Sequence, residues 1–189
     1  MPEHPAGADR LAALVTAART GDTAAQRTLV EVVWPDAFRI ARTVLHDAQL
    51  AEDVAQEACV QLLAKVGSLR EIGSFRPWFY RLVTRRAYAR LRPGVVETPL
   101  EQVEALPAVG GTGTAELLDL RRAIRALPTT LRLPLLFHYY LGLSDRETAQ
   151  ALGTTTGAVR VRLSVARRRL RLALQDHSPP DPTPVYVRQ

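Results

Sequence analysis

Residues 144–174 read SDRETAQALGTTTGAVRVRLSVARRRLRLAL, and this stretch contains the start and stop signals of two successive helices. Ser144 and Glu147 have the S-x-x-E spacing of a capping box, which opens a short helix. Gly153 marks the end of that helix, because glycine readily adopts the left-handed conformation found there. Thr155 can then cap a longer helix that runs to the end of the stretch. The pattern predicts a helix-turn-helix.

The second of these helices carries six arginines, and its apolar residues repeat at intervals of three and four. Because the apolar set would face the core, the arginines would project towards water or a phosphate backbone. The first turns of such a helix reach base edges in a major groove, so Arg160 and Arg162 are the predicted base readers. A solvated, arginine-rich surface helix is the alternative, although these arginines lack carboxylates at four-residue spacing. The arginines are Arg160, Arg162, Arg167, Arg168, Arg169 and Arg171, and the inward set is Val159, Leu163, Ala166, Leu170 and Ala173.

A second informative segment, FRPWFYRLVTRRAYARLR at residues 75–92, combines six arginines and five aromatic residues with no acid. Aromatic rings stack on unpaired bases and guanidinium groups neutralise phosphates, so this composition suits single-stranded nucleic acid. The spacing of Phe75, Trp78, Phe79 and Leu82 also predicts that several of these side chains are core. We therefore expect at most two of the five aromatic residues to touch a base.

The composition excludes a wholly disordered chain and a membrane protein. Of the 189 residues, 47% are hydrophobic and 23% are charged, and no segment reaches 18 uninterrupted apolar residues. The first ten residues, MPEHPAGADR, lack the basic-then-apolar order of a signal peptide. The single cysteine, Cys59, cannot form an intramolecular disulfide. We expect a cytoplasmic protein with no membrane insertion.

Charge and helical periodicity divide the chain into two modules. The net charge is +3 over residues 1–92, −5 over 93–119, +9 over 120–175 and −1 over the tail. The strongly basic second module is expected to meet a polyanion. Residues 93–114 hold three prolines, four glycines and no basic residue, which is typical of a linker.

The predicted fold is all-α, with two small helical domains joined by a flexible acidic linker, the second being the helix-turn-helix domain. The domains are predicted at 1–92 and 115–175, with the linker at 93–114 and a proline-rich, disordered tail at 176–189. Further helices are expected over 23–45, where Pro35 kinks or divides the helix, over 50–66, over 74–92, from 115 to before Pro128, and over 135–141 with Pro134 near its start.

No enzymatic or metal-binding pattern is found in the sequence. The four histidines fall in four different elements, without a His or Cys pair at metal-ligand spacing. The chain also has no glycine-rich phosphate loop and no G-x-S-x-G motif. We expect no catalytic activity, no cofactor and no metal.

Three motifs in order resemble the extracytoplasmic-function (ECF) sigma factors of bacterial RNA polymerase. They are AEDVAQEA at 51–58, SLREIGSFRPWFYRL at 68–82, and RALPTTLRLPLLFHYYLGLSDRETAQALGTTTGAVRVRLSVARRRL at 125–170. The resemblance implies that sigma region 2, at 1–92, binds polymerase core and recognises and melts the minus-ten element. It implies that region 4, at 115–175, reads the minus-thirty-five element as duplex.

The resemblance also implies roles for individual residues and partners. Polymerase core would be bound through the clamp helices of the beta-prime subunit and the beta flap, and many members are held by an anti-sigma factor. The residues implied are, for core binding, Asp53, Gln56 and Glu57; for the minus-ten element, Ser68, Arg70, Phe75, Trp78, Tyr80, Arg81 and Arg85; and for the minus-thirty-five element, Thr155, Thr156, Arg160, Val161, Arg162, Ser164, Arg167 and Arg168.

Some positions depart from the family pattern. Cys59 replaces a frequent aromatic, and Val161 replaces a frequent small polar residue and can offer only apolar contact, for example to a thymine methyl. A helix-turn-helix regulator that never binds polymerase core is the alternative function. That alternative would leave Asp53, Gln56 and Glu57 without a role.

Overall fold

The computed structural model describes residues 5–91 and 115–175, and within these ranges every regular element is helical. This confirms the all-α prediction; the predicted linker and tail lie outside the described residues. Two 3₁₀ turns, Val66–Ser68 and Ile72–Ser74, connect the third and fourth helices. The helices are α1 Pro5–Arg19, α2 Thr23–Leu45, α3 Ala48–Lys65, α4 Phe75–Arg90, α5 Ala115–Ala126, α6 Thr129–Leu135, α7 Asp145–Leu152 and α8 Thr156–Gln175.

In the first half of the chain, α2 is the central element and packs against α1, α3 and α4. Asp22 caps α2 by accepting from the amides of Ala24 and Ala25, and Asp47 caps α3 in the same way through the amide of Leu50. α2 runs as one helix through Pro35. The core between these helices is apolar and fully covered; its large members include Leu29, Ile40, Val54, Leu62, Val83, Phe75 and Phe79.

The helix predicted over 135–141 is found as helical structure over 135–140, but it begins earlier than predicted. α6 begins at Thr129, directly after Pro128, and Pro134 lies inside it instead of near its start. The amide of Arg132 donates to the carbonyl of Pro128 at 3.0 Å, so the helical ladder is already established before Pro134. A π-helical turn, Leu136–Tyr140, then follows α6.

The predicted helix-turn-helix is confirmed in α7 and α8. The Ser144 hydroxyl accepts from the amide of Glu147 at 3.2 Å, and the Glu147 carboxylate accepts from the amide of Ser144 at 2.8 Å, which is the reciprocal capping box. Gly153 ends α7 with φ +65°, and Thr155 caps α8 through the amide of Ala158 at 3.2 Å. The inward stripe of α8 is buried at Val159, Leu163 and Ala166.

One apolar core joins the two helical units, and a second, smaller core lies between α6, α7 and α8 within the second unit. α4 packs on α7, and the ring of Tyr80 stacks on Phe137 from the π-helical turn, with centroids 5.8 Å apart. Tyr80 is 2% exposed and Phe137 0%. Arg76 extends the contact by donating to the carbonyl of Leu141 at 2.8 Å. The aromatic-rich helix α4 therefore has one side committed to the second unit.

His46 lies at another contact between the units. It ends α2 in the left-handed conformation, with φ +59°, and its Nδ1 is 3.5 Å from Nη1 of Arg132 in α6. Burial and, to a smaller extent, the charges of Arg132 and Arg42 together lower the pKa of His46 to about 4. The imidazole is therefore neutral at physiological pH.

We predict that Gly153→Ala destabilises the protein, because a residue with a Cβ at φ +65° adopts the left-handed conformation at a cost of about 1–2 kcal/mol. Urea denaturation followed by circular dichroism measures the loss. Gly157→Ala is the matched control: Gly157 lies in the first turn of α8 without a positive φ, and an added Cβ meets nothing closer than 4.0 Å. We expect the control to be neutral or slightly stabilising. Equal midpoints for Gly153→Ala and the wild type would contradict the prediction.

Candidate nucleic-acid interface

One face of α3 is polar and open to solvent. Asp53 and Gln56 are exposed on this face, and Glu57 is half-buried beside them. The opposite face carries the apolar stripe, so the polar side chains can be replaced without opening the core. The buried residues of α3 are Ala51, Val54, Ala55, Ala58, Cys59 and Leu62.

Glu57 differs from its two neighbours because it already has partners. Its carboxylate accepts from Nη1 of Arg86 at 2.5 Å and forms a second ion pair with Arg90, both from α4. Glu57 therefore cross-links α3 to α4. Of the three predicted core-binding residues, Asp53 and Gln56 are the two that are exposed.

A groove of about 690 Å³ runs between α3 and α4. Its lining combines the Trp78 ring and the Leu82 side chain with five cationic side chains and one carboxylate, that of Glu57. A flat aromatic surface beside several guanidinium groups can accept an unpaired base and its phosphates. The cationic residues are Lys65, Arg81, Arg85, Arg86 and Arg90.

The other residues predicted for the minus-ten element lie outside this groove. Ser68 and Arg70 are exposed in the connection between α3 and α4. Phe75 and Tyr80 are each 2% exposed and belong to the core. Burial raises the pKa of the Tyr80 hydroxyl, and the charge of Asp36, which accepts from it at 2.6 Å, adds to this shift. The groove thus contains Trp78, Arg81 and Arg85 of the predicted set, while Phe75 and Tyr80 lie in the core.

The outward face of α8 carries most of the residues predicted for duplex DNA. Arg162 and Thr156 are half-buried, and Thr155 is exposed while its hydroxyl caps the helix. Arg160 projects from the second turn and donates from Nε to Oδ2 of Asp145 at 3.0 Å. The exposed predicted residues of α8 are Arg160, Val161, Ser164, Arg167 and Arg168.

Two features of the molecule were not predicted from the sequence. The first is Asp145, which pairs with Arg160; Asp145 and Glu147 are the only acids in 120–175, a scarcity that could have drawn attention to it. The second is an apolar groove of about 970 Å³ between α2 and the second unit, lined by Trp34, Phe38, Tyr139 and several arginines. The sequence signal for this groove is the adjacent pair Tyr139 and Tyr140, whose side chains are each about half exposed.

Within residues 5–91 and 115–175, no group of three His, Cys, Asp or Glu side chains is placed to hold a metal ion. The helices in these ranges are also too short or too polar to cross a membrane. Burial raises the pKa of the Cys59 thiol to about 11, so this thiol is protonated.

Two family models match the chain in the order of its two helical units. The model for Sigma-70 region 2 matches residues 29–93, which include α3, α4 and the groove between them. The model for Sigma-70, region 4 matches residues 117–170, which include the helix-turn-helix.

Solved structures share this fold. The sigma factor RpoE in complex with the anti-sigma factor NepR from Bartonella quintana aligns with a TM-score of 0.64 and 25% identity, covering 80% of this chain and 98% of RpoE. CnrH in complex with the cytosolic domain of CnrY aligns with a TM-score of 0.64 and 22% identity, covering 89% of this chain and 99% of CnrH. The second likeness concerns the fold alone.

Sequence relatives match along most of their length. The chain is 32% identical over 176 residues to the ECF RNA polymerase sigma factor SigD of Mycobacterium tuberculosis, covering 86% of this chain and 83% of SigD. It is 30% identical over 178 residues to the ECF RNA polymerase sigma factor ShbA of Streptomyces griseus, covering 85% of this chain and 93% of ShbA. With both sigma regions present in the expected order, the chain belongs to the ECF family of RNA polymerase sigma factors.

Proposed function

We propose that this alternative sigma factor divides its work among three surfaces. The exposed face of α3 binds the clamp helices of polymerase core, the α3/α4 groove holds the opened minus-ten strand, and α8 reads the minus-thirty-five duplex. The observation that carries the proposal is the presence of an acidic and amide face and a basic, Trp-lined groove on the same pair of helices. We assign region 2 to 1–92 and region 4 to 115–175, with 93–114 as the connection and 176–189 as the tail.

In this proposal, the chain itself catalyses no reaction. The polymerase forms the phosphodiester bonds, so the sigma factor has no catalytic residue, cofactor or metal, and it works in the cytoplasm with the polymerase. A regulator that binds DNA without core would have no use for an exposed acidic and amide face on α3. Reconstituted transcription tests this: the chain added to core should give promoter-specific transcripts, and duplex binding that needs no core would support the regulator instead.

Opening of the minus-ten element is proposed to depend on charge and stacking together. Trp78 offers a ring to an unstacked base, and Arg81 and Arg85 lie along the same groove to neutralise phosphates. Ser68 and Arg70 lie in the exposed connection that precedes α4, where a flipped base can be captured. Phe75 and Tyr80 are proposed to act from the core by holding α4 in place.

Reading of the minus-thirty-five element is proposed to follow the order of residues along α8. Arg160 and Arg162 are proposed to read base edges from the early turns, Val161 between them can offer only apolar contact, and Thr155, Thr156 and Ser164 flank them. Arg167 and Arg168 are exposed about two turns further on, in the position for phosphate contacts, and Arg167 also lines the apolar groove between α2 and the second unit. The expected contacts therefore differ in kind between the two ends of the helix.

The apolar groove between α2 and the second unit is proposed to receive an amphipathic acidic helix of an anti-sigma factor. Aromatic and aliphatic side chains form its floor, and arginines from α2, α5, α6 and α8, including Arg39, Arg121 and Arg167, line it. A helix with leucines on one face and glutamates on the other matches both features. The RpoE neighbour, which is bound to an anti-sigma factor, supports this choice of partner.

We predict that Asp53→Ala combined with Gln56→Ala weakens binding to polymerase core about tenfold or more, because both side chains face solvent and neither supports the fold. Stability should change by less than about 0.5 kcal/mol. Fluorescence anisotropy of the labelled chain with core measures the affinity. Arg85→Ala is the control: it should retain core affinity and reduce permanganate reactivity of the minus-ten element. Unchanged core affinity of the double variant would remove the α3 face from the interface.

For α8, Arg160→Ala should cost about 1–3 kcal/mol and relax preference at one base pair, whereas Arg168→Ala should weaken all sequences alike and reduce the salt dependence. Promoter activity against every single-base variant of the minus-thirty-five element, at two salt concentrations, distinguishes the two effects. The placement of α8 in the groove is wrong if Arg160→Ala lowers all variants equally, or if Arg168→Ala changes the preferred sequence.

For the apolar groove, we expect a synthetic helical peptide of about 20 residues, with one leucine face and one glutamate face, to bind the wild-type chain and to bind Arg121→Glu much more weakly. Arg122→Glu is the matched control, because Arg122 is exposed, pairs with Asp119 at 3.0 Å and does not line the groove. Isothermal titration calorimetry measures both. Equal losses in the two variants would indicate general charge attraction and contradict docking in the groove.

A further inference from the structure

Asp145, the first residue of α7, connects the two helices of the helix-turn-helix motif. Its Oδ2 accepts from Nε of Arg160 at 3.0 Å, and its Oδ1 lies 3.5 Å from Nδ1 of His138. The Asp145 side chain is 28% exposed, whereas that of Arg160 is 71% exposed. The carboxylate is thus held largely within the domain, and the guanidinium group that it binds extends into solvent.

The choice of donor atom decides what Arg160 can still do. The bond to Asp145 uses Nε, which leaves the two terminal nitrogens, Nη1 and Nη2, at the outer end of the guanidinium plane. Specific reading of guanine requires two donors of this kind, directed at O6 and N7. A carboxylate bound at Nε therefore leaves Nη1 and Nη2 available to bind a base, and it fixes the orientation of the guanidinium plane.

Arg160 differs in this respect from the other arginines of its helix. Among the arginines of α8, Arg160 is the one with an ion pair in the described part of the chain. Its partner lies on the preceding helix, 15 residues earlier. An arginine side chain without a partner samples many rotamers and loses that freedom when it binds. Holding Arg160 before DNA arrives reduces that loss at this one position, which is how preorganisation raises affinity and selectivity.

We propose that Asp145 is a positioning residue that holds Arg160 for guanine recognition in the minus-thirty-five element. The inference rests on the proposed role of α8 as the duplex reader. A purely structural role is the competing explanation, because a carboxylate in the first turn of α7 also stabilises this helix by interacting with its dipole. That role would affect folding and would leave base preference unchanged.

The test uses the complete chain in holoenzyme with core polymerase, and duplex promoter fragments carrying every single-base variant of the minus-thirty-five element. Asp145→Ala should reduce discrimination about three- to tenfold at the same base pair as Arg160→Ala and at no other. The double variant should lose no more discrimination than Arg160→Ala alone, since the two residues act through one contact. Asp145→Asn should retain most of the discrimination, because its amide oxygen can still accept from Nε.

Glu147→Ala is the matched control, because it removes the capping box of the same helix and has no contact with Arg160. It should lower affinity for all variants by one common factor. If Asp145→Ala gives the same uniform loss while Arg160→Ala relaxes one position, the positioning role is wrong and the α8 proposal stands. If Arg160→Ala itself shows no position-specific effect, the proposed role of α8 fails, and the positioning role fails with it.

Discussion

The stack of Phe137 on Tyr80 lies in the apolar core that joins the two helical units, between residues 57 positions apart in the chain. Both rings are inaccessible to water, and the buried Tyr80 hydroxyl is satisfied by donating to Asp36 at 2.6 Å. A buried hydroxyl without such a partner would destabilise the folded state, so the tyrosine needs α2 as well as Phe137. The contact therefore ties α2, α4 and the π-helical turn together.

This packing constraint determines which side chains of the aromatic- and arginine-rich helix α4 are buried and which are exposed. Five aromatic residues and several arginines on one helix cannot all face the same way, and the stack fixes which side is covered. Phe75, Phe79 and Tyr80 are buried, which leaves Trp78 and Tyr88, and of these two Trp78 lines the groove. Four of the α4 arginines then line the groove, and Glu57 reduces their mutual repulsion by pairing with two of them, Arg86 and Arg90.

The features that could be predicted from the sequence are those with local signals. The capping box at Ser144, the end of α7 at Gly153 and the apolar stripe of α8 depend on residues within a few positions of each other, and all were found as expected. Most of the features that the sequence does not predict involve segments far apart in the chain. The start of α6 is a local exception: proline is common in a first helical turn, which favours a start near Pro134, whereas the helix begins at Thr129 and contains Pro134. The burial of Tyr80 against Phe137 has no local signature, and neither does the pairing of Asp145 with Arg160.

The contact of His46 with Arg132 links the folded state to proton uptake. His46 has a pKa of about 4 in the folded chain, against an ordinary value of 6.5. Between these two values the unfolded chain takes up a proton that the folded chain excludes, so falling pH shifts the balance towards the unfolded form. The stability that a neutral His46 contributes is fully present above about pH 6.5 and is lost as the pH falls towards 4. Acidification therefore destabilises the folded chain by placing a charge on His46, at the contact of α2 with α6 between the two helical units.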